Sequence, residues 1–80
     1  MKDGQSLYEM KNYGSIETKL DSLLKEKHMT RNSLARAVGS RFEVIDRWVS
    51  HPLEKIDGDL LARICCCLDC EIQDILEYKP

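Results

Sequence analysis

Two short segments within residues 30–51 carry hydrophobic residues at helical spacing. Each segment has apolar side chains at positions i, i+1 and i+4: Leu34, Ala35 and Val38 in the first, and Val44, Ile45 and Trp48 in the second. Residues three or four apart share one face of an α-helix, so each segment predicts a short amphipathic helix with one buried stripe.

The residues before and between these stripes are typical of helix ends. The Thr30 hydroxyl can accept a hydrogen bond from an unpaired backbone N–H at a helix start, and Ser40 offers the same cap to the second helix. Gly39 follows the first stripe directly, where a helix often ends in a left-handed residue without a Cβ. Two helices of about eight residues joined by a Gly-Ser corner must cross steeply, which is the geometry of a helix-turn-helix. The second helix is predicted over about residues 41–49.

The remaining apolar residues predict one helix before this pair and two after it. The three stripes are Ile16, Leu20, Leu23 and Leu24; Leu60, Leu61, Ile64, Cys65 and Leu68; and Ile72, Ile75 and Leu76. Ser15 and Asp57 are placed to cap the first and fourth helices, and Pro52 interrupts the chain after the third. The last helix is predicted to end near Tyr78. No segment predicts a strand, so we expect an all-α, compact five-helix bundle.

The chain of 80 residues is long enough for one small domain. Residues 15–80 are predicted to form that domain, and the polar residues 1–14 a flexible N-terminal arm. Four side chains of the arm are more apolar than a free tail requires: Leu7, Tyr8, Met10 and Tyr13. We therefore expect the arm to pack on its own domain or on a second copy of the chain.

The charge is unevenly distributed, although the formal net charge is only −2. Residues 25–51 carry six cationic against three anionic side chains, whereas residues 54–80 carry three against seven. A basic front and an acidic rear suit a module that meets phosphates on one side, although a solvated surface of mixed charge would look similar. The sequence lacks both an apolar leader and a run of about 18 apolar residues, so we expect a cytoplasmic protein.

The two-helix segment also carries a recognisable motif. Six residues fall on the spacing L-A-x-x-x-G-x-x-x-x-x-I-x-R-[W/I]: Leu34, Ala35, Gly39, Ile45, Arg47 and Trp48. This segment resembles the helix-turn-helix of the Cro/phage-repressor (Xre) family of DNA-binding domains. Small one-domain members of that family have a similar tail, here IDGDLLARICCCLDCEIQDILEY. The resemblance covers residues 16–78 and implies a lambda-repressor-like bundle with the helix-turn-helix at its second and third helices.

The resemblance implies a sequence-specific transcriptional regulator that places its third helix in the major groove of double-stranded DNA. The residues at the family's base-contacting positions are Arg41, Phe42, Glu43 and Arg47. Those at positions that meet the DNA backbone are Arg31, Asn32, Ser40, Ser50, His51 and Lys55. One such helix covers about one half-site, so a homodimer on a two-fold operator is expected.

Some residues depart from the family's pattern and leave an alternative open. In the family, position 31 is more often Gln, position 41 is more often a small polar residue, and positions 42 and 43 are more often polar; here these positions hold Arg31, Arg41, Phe42 and Glu43. Both Glu43 and Asp46 repel phosphate. A protein-interaction module that kept the fold, such as an antitoxin or adaptor, is therefore the alternative function, and the arginines would then be ordinary surface charge.

Four cysteines lie close together near the C-terminus, at positions 65, 66, 67 and 70. Cys67 and Cys70 have the spacing of zinc ligands, but neighbouring helical residues point about 100° apart and cannot converge on one ion. Cys65 and Cys70 fall where apolar residues are expected, so core packing is favoured over metal binding or redox sensing. Cys66 and Cys67 are expected to be partly exposed. The sequence shows no catalytic set, phosphate loop, metal site or cofactor motif, so we expect a non-enzymatic protein.

Overall fold

In the computed structural model, residues 13–80 are described, and they form five helices and a small antiparallel sheet. The elements in chain order are β1 (Ser15–Thr18), α1 (Leu20–Glu26), α2 (Arg31–Val38), α3 (Phe42–Ser50), α4 (Gly58–Leu68), α5 (Ile72–Ile75) and β2 (Leu76–Lys79). The predicted five-helix architecture is confirmed, and the two-stranded sheet is added to it.

Strands β1 and β2 bring the two ends of the described chain together. Their antiparallel register places Ile16 opposite Tyr78 and Thr18 opposite Leu76. On the other side of β1, the carbonyl oxygen of Ile16 accepts a hydrogen bond from the backbone N–H of Leu53 at 2.8 Å. The sheet therefore also fastens the loop that follows α3.

The prediction that the first helix starts after Ser15 is wrong. Ile16 belongs to β1, and α1 begins at Leu20 with Lys19 as its N-cap. Ile16 lies four residues before Leu20, which is a helical spacing, and the sequence pattern therefore placed it in the same helix although it belongs to a strand. Its pairing partner lies some 60 residues further along the chain, and such a partner leaves no trace in a local hydrophobic pattern.

The last predicted helix is much shorter than expected. Helix α5 is a single turn that starts with a capping box, in which the Glu71 and Asp74 side chains each accept from the other's backbone N–H. From Leu76 onward the backbone is extended and belongs to β2, so the helix does not continue to Tyr78. The capping box explains why a turn forms here, and the pairing with β1 explains why it stops.

Three predicted helix ends are confirmed. The Thr30 hydroxyl accepts from the backbone N–H of Ser33 at 3.0 Å at the start of α2. Gly39 ends α2 with a φ of 69°, in the left-handed region. The Asp57 carboxylate accepts from two backbone N–H groups in the first turn of α4, at 3.0 and 3.2 Å.

Each of the five helices contributes one fully buried aliphatic side chain to a common core. These residues are Leu20, Leu34, Ile45, Ile64 and Ile75. Trp48 is only 5% exposed and packs in the same core, as its position in the hydrophobic stripe predicted. The Thr18 hydroxyl donates to the Trp48 carbonyl oxygen at 2.5 Å, which ties β1 to α3. Within residues 13–80, no helix is both long and apolar enough to cross a membrane.

Most of the predicted N-terminal arm, residues 1–12, lies outside the described residues, so the arm and the boundary at residue 14 stay predictions. Gly14, its last residue, donates its backbone N–H to the Tyr78 phenol oxygen at 3.1 Å. A Cβ at this position would lie 1.8 Å from the carbonyl oxygen of Lys79. The backbone at Gly14 is therefore packed closely against the end of β2.

Candidate nucleic-acid interface

The corner between α2 and α3 is built from backbone hydrogen bonds around Gly39. The N–H of Ser40 donates to the carbonyl of Ala35 at 2.8 Å, and the left-handed Gly39 reverses the chain direction, which together make a Schellman motif. From α4, the Arg63 guanidinium donates to the carbonyl oxygen of Val38. These bonds hold the end of α2 in place and so determine the direction in which α3 leaves the corner.

Helix α3 begins one residue later than predicted. Ser40 does not cap it: its N–H is used by the corner, and its hydroxyl donates to the Arg41 carbonyl oxygen at 3.3 Å. Arg41 is the N-cap, with extended backbone angles and no capping bond from its side chain. The predicted segment 41–49 is therefore shifted to Phe42–Ser50. Ser40 is therefore part of the Schellman motif and not the N-cap of α3.

The two faces of α3 differ sharply in exposure. Ile45 and Trp48 are buried. On the opposite side, Glu43, Arg47 and Ser50 are exposed and follow one another at i, i+4 and i+7. This spacing places them in one row along the helix, which we call the outer stripe of α3. The outer stripe is the part of α3 that a flat or grooved partner would meet first.

Arg31, at the start of α2, is bonded to the same side of α3. Its Nη1 lies 2.5 Å from Oδ1 of Asp46 and 3.2 Å from Oγ of Ser50. A weaker approach of 3.9 Å joins its Nη2 to the carboxylate of Asp21 on α1. Arg31 therefore bridges three helices, and about a third of its side chain remains exposed.

From the sequence, Asp46 was expected only to repel phosphate, whereas in the structure it is the partner of Arg31. The two residues are 15 positions apart, on different helices. A local pattern gives no sign of such a pair. The resemblance indicated Arg31 as a phosphate contact but carried no information about what orients its side chain.

An open groove lies between α3 and the loop of residues 52–57. Three predicted DNA-contacting cations line it: Arg41, Arg47 and Lys55. Three acidic side chains line it as well: Glu43, Glu54 and Asp57. The fold thus brings together cations that are 14 residues apart in sequence, but the groove as a whole carries balanced charge.

The other predicted site residues surround this region. Phe42, in the first turn of α3, is 43% exposed. Asn32 is exposed on the first turn of α2, and His51 is exposed where α3 ends. Ser40 is half-buried in the corner. All of these residues belong to the helix-turn-helix or to its immediate ends.

The cysteines are arranged as the hydrophobic pattern predicted. Cys65 and Cys70 are partly buried and pack against the core, whereas Cys66 and Cys67 are exposed. All four are free thiols. Among residues 13–80, no group of three or more His, Cys, Asp or Glu side chains is placed to hold a metal ion.

Comparisons with known proteins agree with this geometry. Residues 19–80 match the Cro/C1-type HTH DNA-binding domain. The structure is similar to that of the transcriptional regulator VanUg, with a TM-score of 0.73 and 26% identity, over 86% of this chain and 91% of that one. It also shares its fold with a proposed DNA-binding protein from Bacteroides fragilis, with a TM-score of 0.67 and 22% identity, over 78% of this chain and 98% of the other. The comparison with curated proteins gives no match.

Proposed function

The chain belongs to the Cro/C1-type helix-turn-helix family of DNA-binding domains, and from this premise we propose that it is a sequence-specific transcriptional regulator that inserts α3 into the major groove. The observation that carries the proposal is the position of Arg47. It is exposed on the outer stripe of α3 and also lines the groove that contains Arg41 and Lys55. A single surface therefore offers a helix narrow enough for the major groove with cations at its flank.

The proposed base contacts follow from the chemistry of the exposed side chains of α3. An arginine can donate two hydrogen bonds to O6 and N7 of guanine, which suits Arg47 on the outer stripe and Arg41 at the helix start. Glu43 can accept from the amino group of cytosine, and the exposed ring of Phe42 can cover a thymine methyl group. Each good arginine–guanine pair is worth about 1–3 kcal/mol of discrimination.

The proposed backbone contacts lie around this helix. Arg31 is held on the same side of α3 by Asp46, with about a third of its side chain exposed. The other proposed contacts are Asn32 on α2, Ser40 in the corner, Ser50 and His51 at the end of α3, and Lys55 in the following loop. Side chains of these types donate to phosphate oxygens and position a protein on the duplex without selecting a sequence.

A homodimer is part of the proposal. One recognition helix contacts about one half-site, and useful affinity normally requires two of them on a two-fold operator. VanUg, a relative in fold, is a transcriptional regulator, and we assign the same role to this chain.

The direct test measures DNA binding of the full chain to the DNA upstream of its own gene, by fluorescence anisotropy at two salt concentrations. We expect sequence-dependent, salt-sensitive binding. Arg47→Ala should weaken it by roughly 5- to 150-fold, equivalent to about 1–3 kcal/mol. Lys79→Ala is the matched control, because it removes one exposed cation from β2, outside the helix-turn-helix. Equal losses in both variants would show that only general electrostatic attraction had been measured.

The alternative, a protein-interaction module, is favoured by one observation. The groove beside α3 carries as many acidic as cationic side chains, and the acidic ones repel phosphate. Absence of binding at micromolar protein, both to the upstream DNA and to a pool of random duplexes, would support this alternative over the regulator.

A further inference from the structure

The C-terminal end of α4 brings two cysteines into contact. Asp69 follows the helix in the left-handed conformation, with a φ of 49°. The N–H of Cys70 donates to the carbonyl of Cys65 at 3.1 Å, and the N–H of Asp69 donates to the carbonyl of Cys66 at 3.3 Å. This is the same Schellman motif that ends α2. The motif characteristically packs together the two side chains that its longer bond spans, and here both are cysteines.

The two thiols share one environment. Both are partly buried against the core and line one shallow groove between α4 and α5, with Leu61, Ala62 and Ile72 beside them. The backbone hydrogen bond from Cys70 to Cys65 holds the two residues side by side at this groove. The two cysteines are therefore neighbours at the corner, and the groove opens them to solvent.

The surroundings favour the protonated form of Cys70. Burial raises the pKa of this thiol, the neighbouring Cys65 and the carboxylate of Asp74 raise it further, and Lys27 acts in the opposite direction. A protonated thiol is a poor nucleophile. Cys70 is thus protonated at neutral pH and must lose its proton before it can attack a disulfide.

We propose that Cys65 and Cys70 form a reversible two-thiol redox site whose substrate is a low-molecular-weight disulfide. In the first step one thiol loses its proton to solvent, and its thiolate attacks the small disulfide, forming a mixed disulfide and releasing one small thiolate. In the second step the other cysteine, also deprotonated, attacks the protein sulfur of that mixed disulfide and displaces the second small thiolate. Two protein thiols are oxidised to one intramolecular disulfide, and the small disulfide is reduced to two thiols.

The exposed cysteines do not have this geometry. Cys66 follows Cys65 by one residue and Cys67 by two, so their side chains point about 100° and 200° away around α4. They are accessible to small disulfides but lack a neighbouring thiol on the far side of the corner. We therefore expect them to stop at the mixed disulfide or to link two chains.

The test uses glutathione as the probe and variants that separate the two kinds of cysteine. The Cys66→Ser/Cys67→Ser double variant keeps the proposed pair, and the altered side chains are exposed, so it should fold. The Cys65→Ala/Cys70→Ala double variant is the matched control that keeps only the exposed pair. Each full-length chain is equilibrated with mixtures of oxidised and reduced glutathione, quenched with acid, alkylated and weighed intact.

For the variant that keeps Cys65 and Cys70, we expect loss of both alkylatable thiols with no glutathione attached, in a single chain, and recovery of both thiols with dithiothreitol. The control should carry glutathione. The proposal is overturned if Cys65 and Cys70 stay alkylatable, or carry glutathione, under conditions that modify the control. As a second check, Cys70→Ala added to the first variant should leave Cys65 as a mixed disulfide; an unmodified Cys65 would show that the groove does not admit the probe, which also overturns the proposal.

Discussion

The Arg31 guanidinium has two roles: it joins helices within the fold, and it is a proposed phosphate contact. Its Nη1 donates to Asp46 and Ser50, and its Nη2 lies 3.9 Å from a carboxylate oxygen of Asp21. About a third of the side chain remains exposed, where a phosphate could approach it. An arginine has five donors in a fixed plane and can serve two acceptors at once. Asp46 therefore does more than repel phosphate, because it orients a cation beside the outer stripe of α3.

This arrangement leads to a prediction for Arg31→Ala. We expect DNA affinity to fall for all sequences alike, and the slope of log K against log salt to decrease by about one unit, because one phosphate contact is lost. The cost in folding stability should be small, about 0.2–1 kcal/mol, since the ion pair with Asp46 is partly exposed. A salt titration on several duplexes and a denaturant curve measure both effects. A change in base preference would instead assign Arg31 to base contact.

Trp48 is expected to support the fold rather than to contact DNA. Its side chain is 5% exposed, whereas Phe42 on the same helix is 43% exposed. Trp48→Ala should destabilise the domain by about 3–5 kcal/mol, as truncation of a buried aromatic side chain does. Phe42→Ala is the matched aromatic control and should change stability by no more than about 0.5 kcal/mol. Thermal unfolding followed by circular dichroism compares them, and similar melting temperatures would contradict the assignment of Trp48 to the core.

At the scale of elements, α2 and α4 end in the same motif with different residues. Gly39 has a φ of 69° and Asp69 a φ of 49°. Glycine adopts this region without strain, and aspartate visits it because its short polar side chain can bond locally. The same backbone corner is therefore formed with glycine at the end of α2 and with aspartate at the end of α4.

This comparison predicts the effect of substitutions at Gly39. A Cβ there would meet only Arg63 Nη1, at an ordinary distance of 3.7 Å, so the cost is conformational rather than steric. Gly39→Ala should destabilise the domain by about 1–2 kcal/mol, and Gly39→Asn by less, because asparagine tolerates the left-handed region. Chemical denaturation of the two variants gives the difference directly. Equal losses would mean that the backbone conformation does not limit this corner.

The elements that the sequence predicted best are those whose ends are determined by residues nearby in the sequence. Thr30 and Gly39 are close in sequence to the helix ends they determine, so α2 and its corner were predictable. Ile16 was misassigned because its partner strand is distant in the chain, and the start of α3 was missed by one residue because the corner uses Ser40. Long-range pairing and competition for one backbone group are not visible in a local pattern.

For the whole molecule, the folded surface beside α3 is less positively charged than the sequence of residues 25–51 suggests. Residues 25–51 carry an excess of three positive charges, but Glu54 and Asp57 from the acidic half line the groove beside α3. Attraction to phosphate from this groove is therefore weak. Because the chain has a net charge of −2, we expect its affinity for DNA to come from a few directed contacts. The proposed dimer, with two recognition helices, would double their number.

The proposed dimer would impose a fixed spacing between the two half-sites of its operator. If the chain binds as a two-fold dimer, the two copies of α3 must enter the major groove on the same side of the duplex, about 10 base pairs or a multiple apart. Inserting about five base pairs between the half-sites rotates one of them by half a helical turn and should abolish tight binding, whereas an insertion of about ten should restore part of it. The measurement is a binding series over such spacers, with stoichiometry from analytical ultracentrifugation. We expect two chains per operator and weak binding to a single half-site. One chain per duplex with affinity independent of the spacer would show that a single helix-turn-helix suffices, and would remove the dimer from the proposed function while leaving the contacts of α3 intact.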